Sequence, residues 1–282
     1  MSSERSAPAP RAGRRLRARD KYLPSVISVT SVIVVVLVVR QLVVSAEQWP
    51  RVKRQFFDID AIIEVFPQVL GGFAINMSVW AISLVAIGTW ALMLAIFRSL
   101  RGPWFAPLRV FTVVYIDLLR GLPSLLMVLL FGFGVPALQL PGLPQSSLFW
   151  GGVALVLTYS AYAAEVYRSG MEAVHDGQHA AAKALGLSQW QTLRFAIVPQ
   201  AIRNVVPSLL NLAVALQKDV ALLSVIGVRD AVREAQIFTA RTFNYSSLIA
   251  AAVLFLLATI PMARLTDYVS KKDREQRLQK TL

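Results

Sequence analysis

From Ser169 to Gln200 the sequence reads SGMEAVHDGQHAAAKALGLSQWQTLRFAIVPQ. This stretch is polar and helix-forming, and strongly apolar segments flank it. The run from Ala180 to Leu185 (AAAKAL) has very high helix propensity. Asp176 is placed to cap its start, and Gly186 to end it in a left-handed turn. Ser188, with Gln191 three residues later, reads as the capping box of a second short helix. Pro199 closes that helix or bends it into the next segment. The stretch is therefore a helix, a glycine turn and a helix, a polar hook between two apolar spans.

Working outward, the 282 residues are 56% hydrophobic, which places the chain among membrane proteins. Six spans are expected, at about 23–46, 73–97, 108–133, 148–168, 204–220 and 243–264. The first follows a Ser-, Ala-, Pro- and Arg-rich segment and lacks a small-residue cleavage site, so it reads as an uncleaved anchor. Between the first two spans, Phe56, Ile59, Ile62, Ile63 and Phe66 have the spacing of a surface helix. Gly71-Gly72 is expected to break the uncharged run from Val65 to Phe97. The net charge is +13. Seven basic residues fall within the first 21 positions and six from Arg264 onward. Both clusters flank apolar spans, which favours an orientation signal over a nucleic-acid footprint and puts both termini, and the hook, in the cytoplasm.

There are no cysteines, so no disulfide framework and no cysteine metal site. His175 and His179 are spaced to face one metal ion, but no third ligand accompanies them. No G-x-x-x-x-G-K-[ST] loop occurs, nor a catalytic triad. The chain is not expected to be an enzyme or to hold a cofactor.

Charges inside spans need a partner or water, because each costs at least about 2.5 kcal/mol at mid-depth. Arg120 lies near the middle of the third span, just before Gly121 and Pro123, which loosen the helix. Asp117 is three residues earlier on the same face and is expected to pair with it. Arg120 is then either half of a self-contained ion pair or the group that meets a substrate carboxylate. Lys218 and Asp219 read as a gate or a stabilising pair, and Glu165 as a partner of Arg168 at the base of the hook.

The hook resembles the cytoplasmic coupling loop of importer-type ABC permeases, whose pattern is E-A-A, three residues, G, nine residues, I-x-L-P. Ala180-Ala181-Ala182 stands at E-A-A, Gly186 at the glycine, and Ala196-Ile197-Val198-Pro199 at I-x-L-P. Ala180 replaces the glutamate. Three further segments are similar to polar amino-acid permeases: Asp117 to Pro123 (DLLRGLP), Tyr162 to Gly170 (YAAEVYRSG) and Gln217 to Gly227 (QKDVALLSVIG). The likeness runs from about 71 to 265.

The resemblance implies an all-α polytopic membrane protein with the MetI-like ABC permease fold. The permease domain would be 65–265, preceded by a basic tail at 1–21 and an extra helix at 22–46, and followed by a basic tail at 266–282. It implies that Gly177, Gln178, Ala180, Ala181, Ala182, Leu185, Gly186 and Trp190 meet a separate ATPase dimer, which binds ATP and magnesium. An external solute-binding protein would deliver a polar amino acid, with a lean to glutamate because of Arg120. The missing glutamate at Ala180 favours a second, non-identical permease as partner, and the basic N-terminal tail suits anionic membrane lipid. An ATP-independent transporter or channel, or a scaffold without coupling, is the alternative.

Overall fold

The computed structural model describes residues 18–100, 102–174, 176–188 and 191–279. The N-terminal tail to Arg17, His175 and Trp190 lie outside the described residues, and with them the paired-histidine reading and Trp190 as an ATPase anchor. All regular elements among the described residues are helical. The chain divides into two compact units, Met1–Arg54 and Gln55–Leu282.

The first unit contains α1 (Ala18–Val44). Its segment Ser25–Val44 has a mean hydropathy of 2.5 and buries none of its side chains. A helix apolar on all sides with no buried face has hydrocarbon as its solvent. A short helix, α2 (Trp49–Phe56), follows and carries Lys53 and Arg54 in its last turn.

In the second unit, Asp58 caps α3 (Ile59–Ser99), its carboxylate accepting from the backbone amides of Asp60 and Ala61. Two expectations are corrected here. The apolar residues from Ile59 to Phe66 open α3 rather than forming a separate surface helix. The break at Gly71-Gly72 does not occur, for α3 runs unbroken through both glycines. Gly72 instead permits close approach: a Cβ there would lie 2.6 Å from the backbone nitrogen of Ala231. The glycine makes room for a neighbouring backbone, as small residues do between membrane helices.

The third expected span is two helices, α4 (Ala106–Gly121) and α5 (Ser124–Ala137), meeting at 103°. Leu122 is extended, as a residue before proline tends to be, and Pro123 starts the new direction. Residues 130–134 of α5 are wound as a π-turn, where Gly132 lies against Ile226. Ser146 caps α6 (Ser147–Glu172) by accepting from the Phe149 amide. The hook begins with α7 (Asp176–Ala184). Its second half, a π-turn at Thr192–Ile197, continues directly into α8 (Val198–Asp219) without a stop at Pro199. A proline within continuous helix breaks one rung of the hydrogen-bond ladder, and the chain is π-wound in the turn just before Pro199. A tight 3-10 segment, Val220–Ile226, ends at Gly227, which is left-handed at φ 83°. Asp230 caps α9 (Ala231–Thr242), and α10 (Ser246–Gln279) carries Pro261 within it. The tail expected from 266 is thus helical as far as Gln279.

By length and composition, five helices of the described chain suit a membrane crossing, and the bent pair α4–α5 makes six. α6 is the axis of the second unit, with half of its most apolar stretch buried. Its buried residues are mostly small, Gly151, Ala154, Thr158, Ser160, Ala161, Ala163, Ala164 and Gly170, with Leu155 and Tyr159 the large ones among them. Large side chains from its neighbours fill the space, including Leu94 and Ile87 of α3, Ile116 of α4, Val128 of α5 and Leu216 of α8. A second cluster joins Val65 and Val69 of α3 to Ala231 and Ala235 of α9 and Ala250 of α10.

Candidate functional site

The hook keeps the local geometry its sequence dictates. The amide of Leu185 donates to the Ala181 carbonyl, and the amide of Leu187 to the Ala182 carbonyl, both at 3.1 Å. Between them Gly186 is left-handed at φ 74°. A six-to-one bond spanning a left-handed glycine is the Schellman arrangement. The capping box also forms. The Ser188 amide donates to Gln191 Oε1 at 2.9 Å, and the Gln191 amide to Ser188 Oγ at 3.3 Å.

The two halves of the hook are tied to each other and to α8. Gln200 Nε2 donates to Gln178 Oε1 at 3.1 Å, and Asn204 Nδ2 to the Gly170 carbonyl at 3.2 Å. Val174 packs with Ala201 and Ala196. At the base, Gly170 lies against Val205, so tightly that a Cβ would overlap the valine. Of the three alanines, only Ala182 is buried, at 4% exposure. Gly177, Ala181 and Leu185 recur every four residues and all face outward, as does Ala180. Leu185 is 79% exposed. The outer stripe is therefore small residues ending in one large apolar side chain. Phe195, which sequence reasoning did not single out, is also exposed, with the Arg194 guanidinium 5.6 Å from its ring centre.

Beneath the hook, one carboxylate gathers three arginines. Glu165 accepts from Arg98 Nη1 at 3.1 Å and from Arg168 Nε at 3.0 Å, and Arg120 Nη1 lies 4.0 Å away. Arg168 also bridges to Glu172. The expected Glu165–Arg168 pair is thus present within a larger cluster. The end of α3, the kink after α4 and the base of the hook converge on this residue. Arg109 meanwhile closes the end of α3, donating to the carbonyls of Leu100 and Gly102 at 2.8 and 2.9 Å.

The expected Asp117–Arg120 pair does not form. Arg120 turns to α6, where its guanidinium also lies 5.9 Å from the centre of the Tyr162 ring. Arg120 occupies the last turn of α4, where the chain is about to bend, so its side chain leaves the helix face that Asp117 shares. Asp117 is exposed. Lys218 and Asp219 also do not pair with each other: adjacent residues on a helix point apart. Asp219 accepts from the Tyr159 hydroxyl of α6 at 2.9 Å, and Lys218 is exposed.

Another polar node lies at the far side of the unit and was not read from the sequence. Asn76 Nδ2 donates to Asp230 Oδ2 at 3.0 Å and to the Val220 carbonyl at 3.2 Å, while its Oδ1 accepts from the Ala231 amide at 3.2 Å. Asn76 and Asp230 are both fully buried. Burial pushes the Asp230 carboxyl above the usual aspartate range, against the amide of Arg233 and Asn76, which hold it down.

Residues 91–275 match the family described as "Binding-protein-dependent transport system inner membrane component". The chain belongs to this family. It is a polar amino-acid ABC permease, all-helical and multi-pass in the plasma membrane. The permease is 34% identical over 218 residues to the arginine transport system permease protein ArtQ of Bacillus subtilis, a match covering 76% of this chain and 96% of ArtQ. It is 29% identical over 206 residues to the inner membrane amino-acid ABC transporter permease protein YhdY of Escherichia coli, covering 72% of this chain but only 55% of YhdY. The fold matches a crystal structure of an amino acid ABC transporter with histidines, at a TM-score of 0.70 and 28% identity, over 76% of the permease and 98% of that chain.

Proposed function

We propose that this permease is one half of the pathway of an ATP-driven importer for a polar amino acid, and that the hook at 169–200 is the handle by which a separate ATPase drives it. The observation that carries this reading is the hook's construction. A left-handed Gly186, a closed capping box and the Gln178–Gln200 bond make a rigid body. Its outward stripe of Gly177, Ala181 and Leu185 is exposed, with Leu185 the large apolar side chain in it. ATP and magnesium belong to the ATPase, and this chain contributes the contact surface. An external solute-binding protein delivers the substrate. Both termini and the hook face the cytoplasm, in keeping with the basic residues at both ends.

Ala180 supports a non-identical second permease that supplies the glutamate this chain lacks. The substrate is glutamate or a close relative. Arg120 is half exposed and only distantly paired, which leaves guanidinium donors for a carboxylate. Arginine, in the name of ArtQ, is the competing outcome. The test is amino-acid-stimulated ATP hydrolysis in liposomes, with the neighbouring ATPase and binding protein, with and without a second permease. Stimulation by glutamate only when the second permease is present is the expected result. Stimulation by this chain alone makes it a homodimer. If no ATPase binds the chain under any condition, coupling is lost as an explanation, and an ATP-independent transporter or a scaffold takes its place.

A further inference from the structure

A groove of about 360 Å3 runs between α8 and α10, lined by Ile202, Arg203, Val206, Pro207, Tyr268, Val269, Lys272 and Asp273. Its place along the helices is informative. The apolar part of α8 begins at Gln200 and that of α10 ends at Asp273. The groove thus lies where both helices leave the hydrocarbon at the same end, and its two sides have different chemistry. Ile202, Val206, Pro207 and Val269 make an apolar wall. Arg203 and Lys272 stand over it, both exposed and, among the described residues, without an ion-pair partner within 4.0 Å. Arg264, Tyr268 and Lys272 recur every four residues on α10, so the cations extend along one helix face. Tyr268 is 64% exposed. Tyrosine at this depth is the residue of the membrane–water boundary. Asp273 is the one acid in the lining and holds an interaction of its own.

We propose that this groove binds an anionic phospholipid. The phosphodiester sits between Arg203 and Lys272, the Tyr268 hydroxyl donates to a headgroup oxygen, and the first carbons of one acyl chain lie along Val206, Pro207 and Val269. A phosphodiester satisfies both cations at once, which a zwitterionic headgroup does less well because it carries its own cation into the site. Basic recesses between membrane helices near the surface take anionic lipid for this reason. A soluble anion would leave the apolar wall uncovered. Arg203 of the lining is the immediate neighbour of Asn204, which holds the Gly170 carbonyl, so a bound lipid steadies the base of the hook.

The chain has no cysteine, so a single engineered thiol reports one position. Tyr268→Cys, labelled with a benzophenone in native membranes, should cross-link chiefly to lipid. Cross-linking chiefly to an ATPase or to another permease chain would show that protein covers the groove and would overturn the proposal. Affinity is read by native mass spectrometry of the full chain with phosphatidylglycerol and phosphatidylcholine in competition. Phosphatidylglycerol should be retained preferentially, and millimolar inorganic phosphate should not displace it. Arg203→Gln with Lys272→Gln should weaken its retention by about 30-fold, the effect of two surface cations. Arg203→Lys with Lys272→Arg should keep the preference. Equal retention of the two lipids by the wild type, displacement by phosphate, or an unchanged preference in a double glutamine variant that melts like the wild type would each overturn it.

Discussion

At the scale of single residues, Glu165 is the charge with the most ion-pair partners among the described residues. Its carboxylate meets Arg98, Arg120 and Arg168, three guanidiniums that repel one another without it. Each pair is partly exposed, so each contributes at most about 1 kcal/mol to stability. The larger consequence is positional, since the three arginines come from α3, from the kink and from the base of the hook. Glu165→Gln should lower the thermal midpoint by only a few degrees while uncoupling ATP hydrolysis from uptake. Equal ratios of hydrolysis to transport in variant and wild type would remove this role from Glu165. Gly170 offers a steric counterpart. Gly170→Ala forces its methyl into Val205 and should cost about 1–3 kcal/mol, the usual penalty for overpacking. Val205→Ala added to it should restore most of the loss. Thermal melting of the two singles and the double measures that coupling directly.

At the scale of elements, the hook turn and the α3–α9 junction depend on opposite properties of glycine. Gly186 is needed for its positive φ and has open space around it, whereas Gly72 is needed because a backbone lies against it. Gly186→Asn, which tolerates the left-handed region, should keep uptake near the wild-type rate. Gly186→Val should reduce it at least tenfold, with the chain still inserted in the membrane. At the junction, the raised pKa of Asp230 means that the folded state holds its proton more tightly than the unfolded chain does. Its effect on stability is therefore neutral below the ordinary aspartate value and becomes a penalty as pH rises through the folded pKa. Asp230→Asn should abolish that part of the pH dependence. The difference between wild-type and variant melting points, followed from pH 4 to pH 7, should grow in favour of the variant. A constant difference would mean that burial of the charge is fully offset by Asn76 and the amide of Arg233.

At the scale of the molecule, the second unit is built on α6, a helix whose buried residues are mostly small. It is held to α8 by Tyr159–Asp219, to the kink by Tyr162 and Glu165, and to α3 by Glu165–Arg98. Polar contacts therefore follow this helix turn by turn from the end of α8 towards the hook, at positions 159, 162, 165 and 168, winding around it as they go. The arginine cluster at Glu165 and the hook are thus attached to the same rod, an arrangement suited to moving as one rigid piece. In an importer with a non-identical partner, restoring the acid with Ala180→Glu should raise the affinity of the ATPase for this chain alone. Pull-down with the ATPase, with and without the second permease, measures this. No gain in binding would mean that position 180 lies outside the contact.

What depends on local chemistry and on the solvent can be read from the amino acids alone. Helix signals at Gly186, Ser188 and Gln191 act within one or two turns, so the turn of the hook was legible before any fold was known. Span positions were legible for a related reason: hydrocarbon demands about 20 apolar residues wherever they sit in the chain. Pro123 after Gly121 announced a break, although its 103° angle depends on what the two pieces pack against. The choice of partners depends on how distant helices pack. Asp117 and Arg120 look paired at their spacing, yet Glu165, 45 positions beyond Arg120, lies nearer to the guanidinium once α4 bends onto α6. Gly71-Gly72 looked like a break because a glycine's purpose is invisible without its neighbour, and that neighbour, Asp230, is more than 150 residues away. Side-chain spacing along one helix states which contacts are possible, and the packing of helices distant in sequence selects among them, because a charge such as that of Arg120 is cheapest beside an opposite charge that the fold brings near.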